Sequence, residues 1–219
     1  DLLRQRDYLI KFVQISTPEV YGSCSGAIEE STRYNPSTPY AVSKAAVDMS
    51  LMTFQRNYGF PVVFTRAANV YGPAQQLYRI IPIAMLRFLS GEKLRLDGGG
   101  VSTRSFIFIQ DVAEATLQIA LRSNPGEIFH LSTPRMISIK DLAMMIAEMM
   151  DVDFESSIEI GPERPGKDAA YTLNCDKAER ILSWKPRVSL EDGLENTFKW
   201  VKDNYEVLKA MPRRYLHKA

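Results

Sequence analysis

Tyr40 and Lys44 stand four residues apart in the run Asn35-Pro36-Ser37-Thr38-Pro39-Tyr40-Ala41-Val42-Ser43-Lys44. If that run is helical, the two side chains share one face and lie one turn from each other. An ammonium beside a phenol favours the phenolate, which lowers a tyrosine pKa from about 10 toward the range where a general base works. The same spacing also describes one turn of an ordinary helix, so the pair needs a chemical setting. Three further polar clusters offer one: Ser16-Thr17-Pro18-Glu19, residues 66–73 (Arg66-Ala67-Ala68-Asn69-Val70-Tyr71-Gly72-Pro73), and Arg104 with Arg164. Arginine presents a planar, permanent charge that suits a diphosphate better than lysine does. On charge alone, a surface salt bridge is the better reading of each arginine.

These groups would be positioned by elements whose signals are local. Thr38 is a helix cap, Pro39 suits the first helical position, and Ala41, Val42, Ala45, Ala46, Met49, Met52 and Phe54 keep a helical period up to Gly59 and Pro61. Residues 11–16 before it and 61–66 after it read as short buried strands. Strand, helix, strand at this spacing predicts a βαβ unit and a parallel sheet, with residues 16–22 at the C-terminal edge where such sheets bind ligands. Residues 2–6 read as the last turns of a helix already under way, and 23–37 as a polar loop. Further along, helices are expected over 77–89 (with a start or kink near Pro82), 111–121, 142–150, 176–182 and 193–205. Strands are expected over 93–96, 105–109, 127–131 and 158–160. Ser138 and Ser189 open capping signals. Asp97-Gly98-Gly99-Gly100 lacks the following Lys-Ser/Thr or the spacing of a phosphate loop and reads as a flexible turn. The four methionines of 142–150 are expected to pack in a core.

Composition narrows the function classes. With 45% hydrophobic and 24% charged residues and a net charge of +1, the 219-residue chain is ordinary globular material with no strong field for nucleic acid or acidic membrane. Its two cysteines and two histidines fall in no metal-ligand spacing, so no metal site is expected and a reduced, cytoplasmic setting is. No apolar run reaches transmembrane length.

Taken in order, Ser16-Thr17-Pro18-Glu19-Val20-Tyr21-Gly22, the Asn35 to Lys44 run and the 66–73 segment resemble the extended short-chain dehydrogenase/reductase group that modifies nucleotide sugars. Thr103-Arg104-Ser105-Phe106, Asp111-Val112-Ala113, Arg164-Pro165-Gly166-Lys167-Asp168 and Ser183-Trp184-Lys185-Pro186 extend the similarity toward the dTDP-glucose 4,6-dehydratases. The resemblance implies an α/β fold: the C-terminal half of a Rossmann-like parallel sheet with a smaller α/β substrate-binding domain. Residues 1–73 would be the second half of the NAD-binding domain and 74–219 mainly the substrate-binding domain, with about 104–122 returning to the first.

The same resemblance assigns roles. Tyr40, assisted by Lys44, would take the proton of the sugar 4-hydroxyl as C4 is oxidised with NAD+. Thr17 would help to pass that proton, and Glu19 would remove the C5 proton that the new ketone acidifies. Water leaves from C6, and the hydride returns there. Ser16, Tyr40, Lys44 and Ala67 would line the cofactor. Asn69, Arg79, Arg104 and Arg164 would hold the nucleotide diphosphate, and a homodimer would form through helices that include the one bearing Tyr40. His130 stands where the dehydratases often carry asparagine, and no role follows for it.

Two departures shape the expectation. Pro18 occupies the position where the dehydratases usually carry an aspartic acid that protonates the leaving hydroxyl, and losing a general acid typically costs about 10²–10⁴ in rate. Related decarboxylases also have a non-acidic residue there and keep the glutamate, whereas sugar 4-epimerases usually lack it. The glycine-rich dinucleotide loop, about a hundred residues upstream of the Ser-Thr segment in this group, has no counterpart here. The expectation is therefore a piece of a longer enzyme, the alternative being a non-catalytic nucleotide-sugar-binding chain.

Overall fold

The computed structural model describes residues 1–24, 26–162 and 172–214. In chain order its regular elements are β1 (Phe12–Ile15), β2 (Ala27–Ile28), α1 (Pro39–Tyr58), β3 (Val62–Ala67), β4 (Asn69–Tyr71), α2 (Ile80–Leu89), β5 (Leu94–Asp97), β6 (Thr103–Phe108), α3 (Ile109–Arg122), β7 (Ile128–Leu131), β8 (Met136–Ser138), α4 (Ile139–Met149), β9 (Ile158–Gly161), β10 (Thr172–Leu173), α5 (Asp176–Leu182), α6 (Leu190–Asp203) and α7 (Tyr205–Leu208). They gather into two compact units. One takes in Asp1–Val70, Ser105–Arg135 and residues 172–187; the other takes in Tyr71–Arg104 and residues 136–162 and 188–214. None of the described helices is long and apolar enough to cross a membrane.

The first unit is built on a parallel sheet in the order β1-β3-β7, with Phe12 opposite Val62 and Phe64 opposite Ile128. Alternation along β3 sends Val62 and Phe64 to one face, where they pack with Met52, Phe60 and Ile128 under α1. Val63 goes to the other face, among Ile107, Ala115, Ile119, Phe129, Leu131 and Trp184, under α3 and α5. Helices on both faces explain why these strands read as continuous apolar runs rather than as alternating ones. α1 begins where its signal lies: Thr38 Oγ1 accepts from the Ala41 N–H at 3.1 Å, and Pro39 occupies the first turn. Its buried face is Ala41, Ala45, Asp48 and Met52.

In the second unit α2 packs against α4 and α6, and β5 pairs in parallel with β9, Leu94 opposite Ile158. Ile81, Ala84, Met85 and Leu86 of α2, Leu142, Ala143, Ile146 and Ala147 of α4, and Leu194 and Val201 of α6 are buried. Ser138 and Ser189 cap α4 and α6 by accepting from the Asp141 and Asp192 N–H groups. The glycine run forms a 3-10 turn, Gly98–Gly100. Gly100 has φ +70°, and a Cβ there would stand 2.9 Å from the Lys140 backbone nitrogen, so the turn is sterically specified.

Two expectations change. The opening residues make a single 3-10 turn, Leu3–Gln5, with no buried side chain to sustain an α-helix. The methionines of α4 are not buried: its apolar face is completed by Leu142, Ala143, Ile146 and Ala147, which leaves Met144, Met145, Met149 and Met150 on its flanks.

Candidate active site

The candidate residues of the first unit collect at the C-terminal edge of the parallel sheet. Ser16 continues β1, its N–H donating to Thr65 O at 2.9 Å. Thr17 then caps a short 3-10 turn, Pro18–Tyr21, by accepting from the Glu19 N–H at 3.3 Å. Thr17 and Pro18 are buried, while Glu19 is half-buried. The turn closes through Gly22 N–H to Glu19 O at 3.0 Å. Gly22, at φ +69°, cannot carry a side chain: a Cβ would fall 1.9 Å from Asn35 O. This close approach, with Asn35 N–H donating to Val20 O at 2.9 Å, fastens the Glu19 turn to the segment that leads into α1.

α1 is set against that turn by an apolar contact, Ala45 with Val20 and Tyr21. It is set against the strand by Lys44, whose Nζ donates to Ile15 O at 3.0 Å. Tyr40, on the first turn, is 53% exposed, so its ring faces an open side of the unit rather than a packed interior. Ala67 ends β3 opposite Leu131, and the exposed Asn69 follows, with Nδ2 donating to Ser105 O at 3.0 Å. The structure thus brings Ser16, Thr17, Glu19, Tyr40, Lys44, Ala67 and Asn69 onto adjoining strand ends and one helix of a single unit. Arg79 and Arg104 belong to the second unit. Arg79 is exposed over the Tyr78 ring, and Arg104 Nη1 donates to Thr103 O at 2.7 Å. Arg164 lies outside the described residues.

Arg66, which opens the polar cluster at the end of β3, is fully buried. Its Nη2 donates to Asp48 Oδ2 at 2.9 Å and to the Tyr34 hydroxyl at 3.2 Å, and its Nη1 donates to Ser31 O at 2.8 Å. The guanidinium lies over the rings of Tyr21 and Tyr34. Burial opposes this charge, but the Tyr21, Asp48 and Tyr34 groups outweigh it and hold the arginine above its ordinary pKa. Asp48 Oδ2 also accepts from Ser16 Oγ at 2.7 Å. Tyr21, its phenol pushed up by burial, donates to His130 Nε2 at 2.7 Å, since His130 Nδ1 faces the Asn174 carbonyl and must carry the ring proton. Burial and then Arg66 push His130 down to about 4, so it is neutral. Asp48 and Tyr34 were not singled out from sequence. The available signal was Asp48 itself, a carboxylate on the apolar stripe Ala41, Ala45, Met52.

A cavity of about 450 Å³, lined by residues including Arg33, Glu127 and Lys177, opens at the N-terminal end of β7, opposite the edge where the candidate residues gather.

Residues 2–197 match the family model described as GDP-mannose 4,6 dehydratase. The chain belongs to that family. It is 33% identical over 209 residues to the dTDP-D-glucose 4,6-dehydratase of Homo sapiens, a match that covers 93% of this chain and 59% of the human protein. Among solved structures it is similar to a double mutant of DesIV, a dTDP-glucose 4,6-dehydratase from Streptomyces venezuelae, solved with NAD bound. That match has 33% identity and a TM-score of 0.86 and covers 90% of this chain and 61% of the other. Members of the wider fold include the UDP-glucuronic acid 4-epimerase from Bacillus cereus, in complex with UDP-glucuronic acid and NAD, at 29% identity and a TM-score of 0.84 over 90% of this chain and 62% of that one. The chain therefore spans about three fifths of the length of the human relative (59%) and of DesIV (61%). Family membership agrees with the sequence motifs, and the parallel α/β layering with the expected fold class.

Proposed function

We propose that the protein is an NAD-dependent nucleotide-sugar 4,6-dehydratase acting on a substrate of the dTDP-glucose type. The observation that carries this reading is the Lys44–Ile15 hydrogen bond, which fastens the Tyr40 helix to the strand end from which Thr17 and Glu19 follow. The first unit would be the cofactor-binding part, and the second unit, holding Arg79 and Arg104, mainly the substrate-binding part. The residues fit a nicotinamide ribose: a phenol and an ammonium one helical turn apart at the ligand-binding edge of a parallel sheet, with the small Ala67 ending the strand that adjoins β1. NAD, when bound, supplies the hydride acceptor and donor. Tyr40 and Lys44, with Ser16 and Ala67, would hold it.

The chain's own groups do the proton work. Tyr40 accepts the 4-hydroxyl proton, and Thr17 relays it. Glu19, held in a closed turn, takes the C5 proton, which a C4 ketone acidifies because the resulting carbanion is an enolate. Asn69, Arg79, Arg104 and Arg164 would bind the diphosphate. Pro18 has no proton to give, so another acid or a water must protonate the leaving 6-hydroxyl. The exposed Val42, Val47 and Met49 on α1 support a homodimer through that helix.

Pro18 and the epimerase neighbour support a second reading, a nucleotide-sugar decarboxylase or 4-epimerase on the same scaffold. One assay separates them. Incubate the protein, as its gene encodes it, with NAD+ and dTDP-glucose, and follow the sugar nucleotide by mass spectrometry. A product lighter by one water is expected. Unchanged mass overturns the dehydratase, and carbon dioxide release from a nucleotide-linked uronic acid establishes the decarboxylase.

A further inference from the structure

The buried Asp48–Arg66 pair meets, at one point, the segments that carry the candidate chemistry. Asp48 lies one turn beyond Lys44 on α1, and its Oδ2 accepts from Ser16 Oγ at 2.7 Å, directly before Thr17, and from Arg66 Nη2 at 2.9 Å. Arg66 directly precedes Ala67 at the end of β3, and its guanidinium lies 4.7 Å from the centroid of Tyr21, in the turn that holds Glu19. Both side chains have zero exposure. Asp48 Oδ1 and Arg66 Nε have no hydrogen-bond partner among the described residues.

Stability does not account for such a pair. Desolvating two charges offsets their attraction, and apolar residues of similar volume are often as stable or more so. An apolar pair would constrain the register of α1 against β1 less tightly than the charged pair does, because the hydrophobic effect is non-directional; the Lys44–Ile15 hydrogen bond would remain. A carboxylate that must meet a hydroxyl and a guanidinium at hydrogen-bond distance tolerates little displacement.

We propose that Asp48 and Arg66 are positioning residues: they fix α1, and with it Tyr40 and Lys44, in register with the Ser16-Thr17-Pro18-Glu19 segment. The inference rests on the dehydratase reading for its consequence in turnover, but its structural content can be read independently.

The test uses the double variant Asp48→Leu/Arg66→Met, which removes both charges and orphans neither. Amide hydrogen exchange is measured over residues 16–22 and 38–45, along with steady-state kinetics on dTDP-glucose. The expected result is exchange faster by about tenfold or more in those two segments, while the β3 and β7 core amides keep their protection. Turnover should fall about a hundredfold with KM changed by no more than about threefold, because misplacement of about 1 Å has that effect on the reacting geometry. Unchanged exchange in both segments overturns the positioning role whatever the kinetics show. If the parent protein does not dehydrate the sugar, the functional reading falls and exchange alone decides the positioning. Should the double variant fail to fold, Ser16→Ala, which cuts the hydroxyl bond to Asp48, is read by amide exchange alone, because Ser16 is also assigned to the cofactor; unchanged exchange in both segments again overturns the positioning role.

Discussion

α1 and α4 are both capped helices laid against a layer of their own unit, yet they are held by opposite means. α1 presents Ala41, Ala45 and Met52 with a carboxylate among them, and that carboxylate is joined to a buried arginine on the neighbouring strand. α4 presents Leu142, Ala143, Ile146 and Ala147, with no charge on the buried face. Apolar packing of the second kind is the cheaper route to stability. The first kind costs desolvation and yields a fixed register, and it occurs where the candidate proton-transfer groups must be aligned. The contrast separates what holds this protein folded from what would make it act.

Removing chemistry without touching packing gives the largest expected effect. Tyr40→Phe deletes one hydroxyl from a residue that is 53% exposed, so the thermal midpoint should stay within about 1 °C, as for surface changes of small effect. Turnover should fall by about 10²–10⁴, the range for a lost general base, with substrate affinity nearly unchanged. Parent-like turnover would remove Tyr40 from the reaction. Glu19→Gln sharpens the result. It should still allow bound NAD+ to become transiently reduced, seen by its absorbance, while solvent deuterium no longer enters at C5; normal exchange there would point to another base.

Next in size is the buried pair treated as an energetic object. Arg66→Ala leaves Asp48 charged in a closed interior, and denaturant unfolding should show a loss of about 3–5 kcal/mol. The apolar double variant should recover most of it. Ile146→Ala in α4 should cost a similar amount, about 2–5 kcal/mol, by leaving a cavity, but no charge substitution elsewhere should rescue it. If the Asp48/Arg66 double variant is as unstable as Arg66→Ala, the pair is a stability element and the contrast between the helices fails.

His130 adds a pH dimension to the polar region. Its folded pKa is depressed to about 4 from an ordinary 6.5, first by burial and then by Arg66. The neutral ring is what the fold accepts, so its contribution is complete above pH 6.5. As pH falls from 6.5 toward 4, the unfolded chain binds a proton that the folded chain refuses, and stability should drop by about 3 kcal/mol, with no further loss from this group below 4. His130→Asn removes the titration. Urea unfolding at stepped pH should show a shallower slope for the variant over that window, and identical slopes would assign the acid sensitivity to other groups.

Much of this architecture was legible because its signals are local. Thr38, Pro39 and Gly59 bounded α1 to the residue, and Asp176 and Leu182 bounded α5. The two-residue strands β2 and β10 gave no sign: a pairing such as Leu173 with Ile28 is written in tertiary contact, not in periodicity. The motif residues at the sheet edge were legible by type and order, but the burial of Arg66 was not, since an arginine at a strand end looks the same whether it faces ligand or core. Only Asp48, eighteen residues earlier in the chain, distinguishes the two, and pairs at that separation carry no periodic signature. The α4 methionines were misjudged for a related reason: which of several apolar residues fill a core depends on the facing helix.

The smallest effect makes the sharpest test, because one kind of interaction occurs in both regions. Thr38 caps α1 and Ser138 caps α4, each accepting from an N–H of the first turn, at 3.1 and 2.9 Å. Either change to alanine should cost about 1 kcal/mol in denaturant unfolding. Thr38, however, stands two residues before Tyr40, so fraying there loosens the phenol as well as the helix. Thr38→Ala should therefore lower turnover several-fold at a temperature where the protein remains folded, and Ser138→Ala should not, although their unfolding midpoints match. Equal turnover in the two variants would mean that the first turn of α1 is held by the Asp48 contact beyond it rather than by its own cap, which would move the source of alignment one step further into the buried pair.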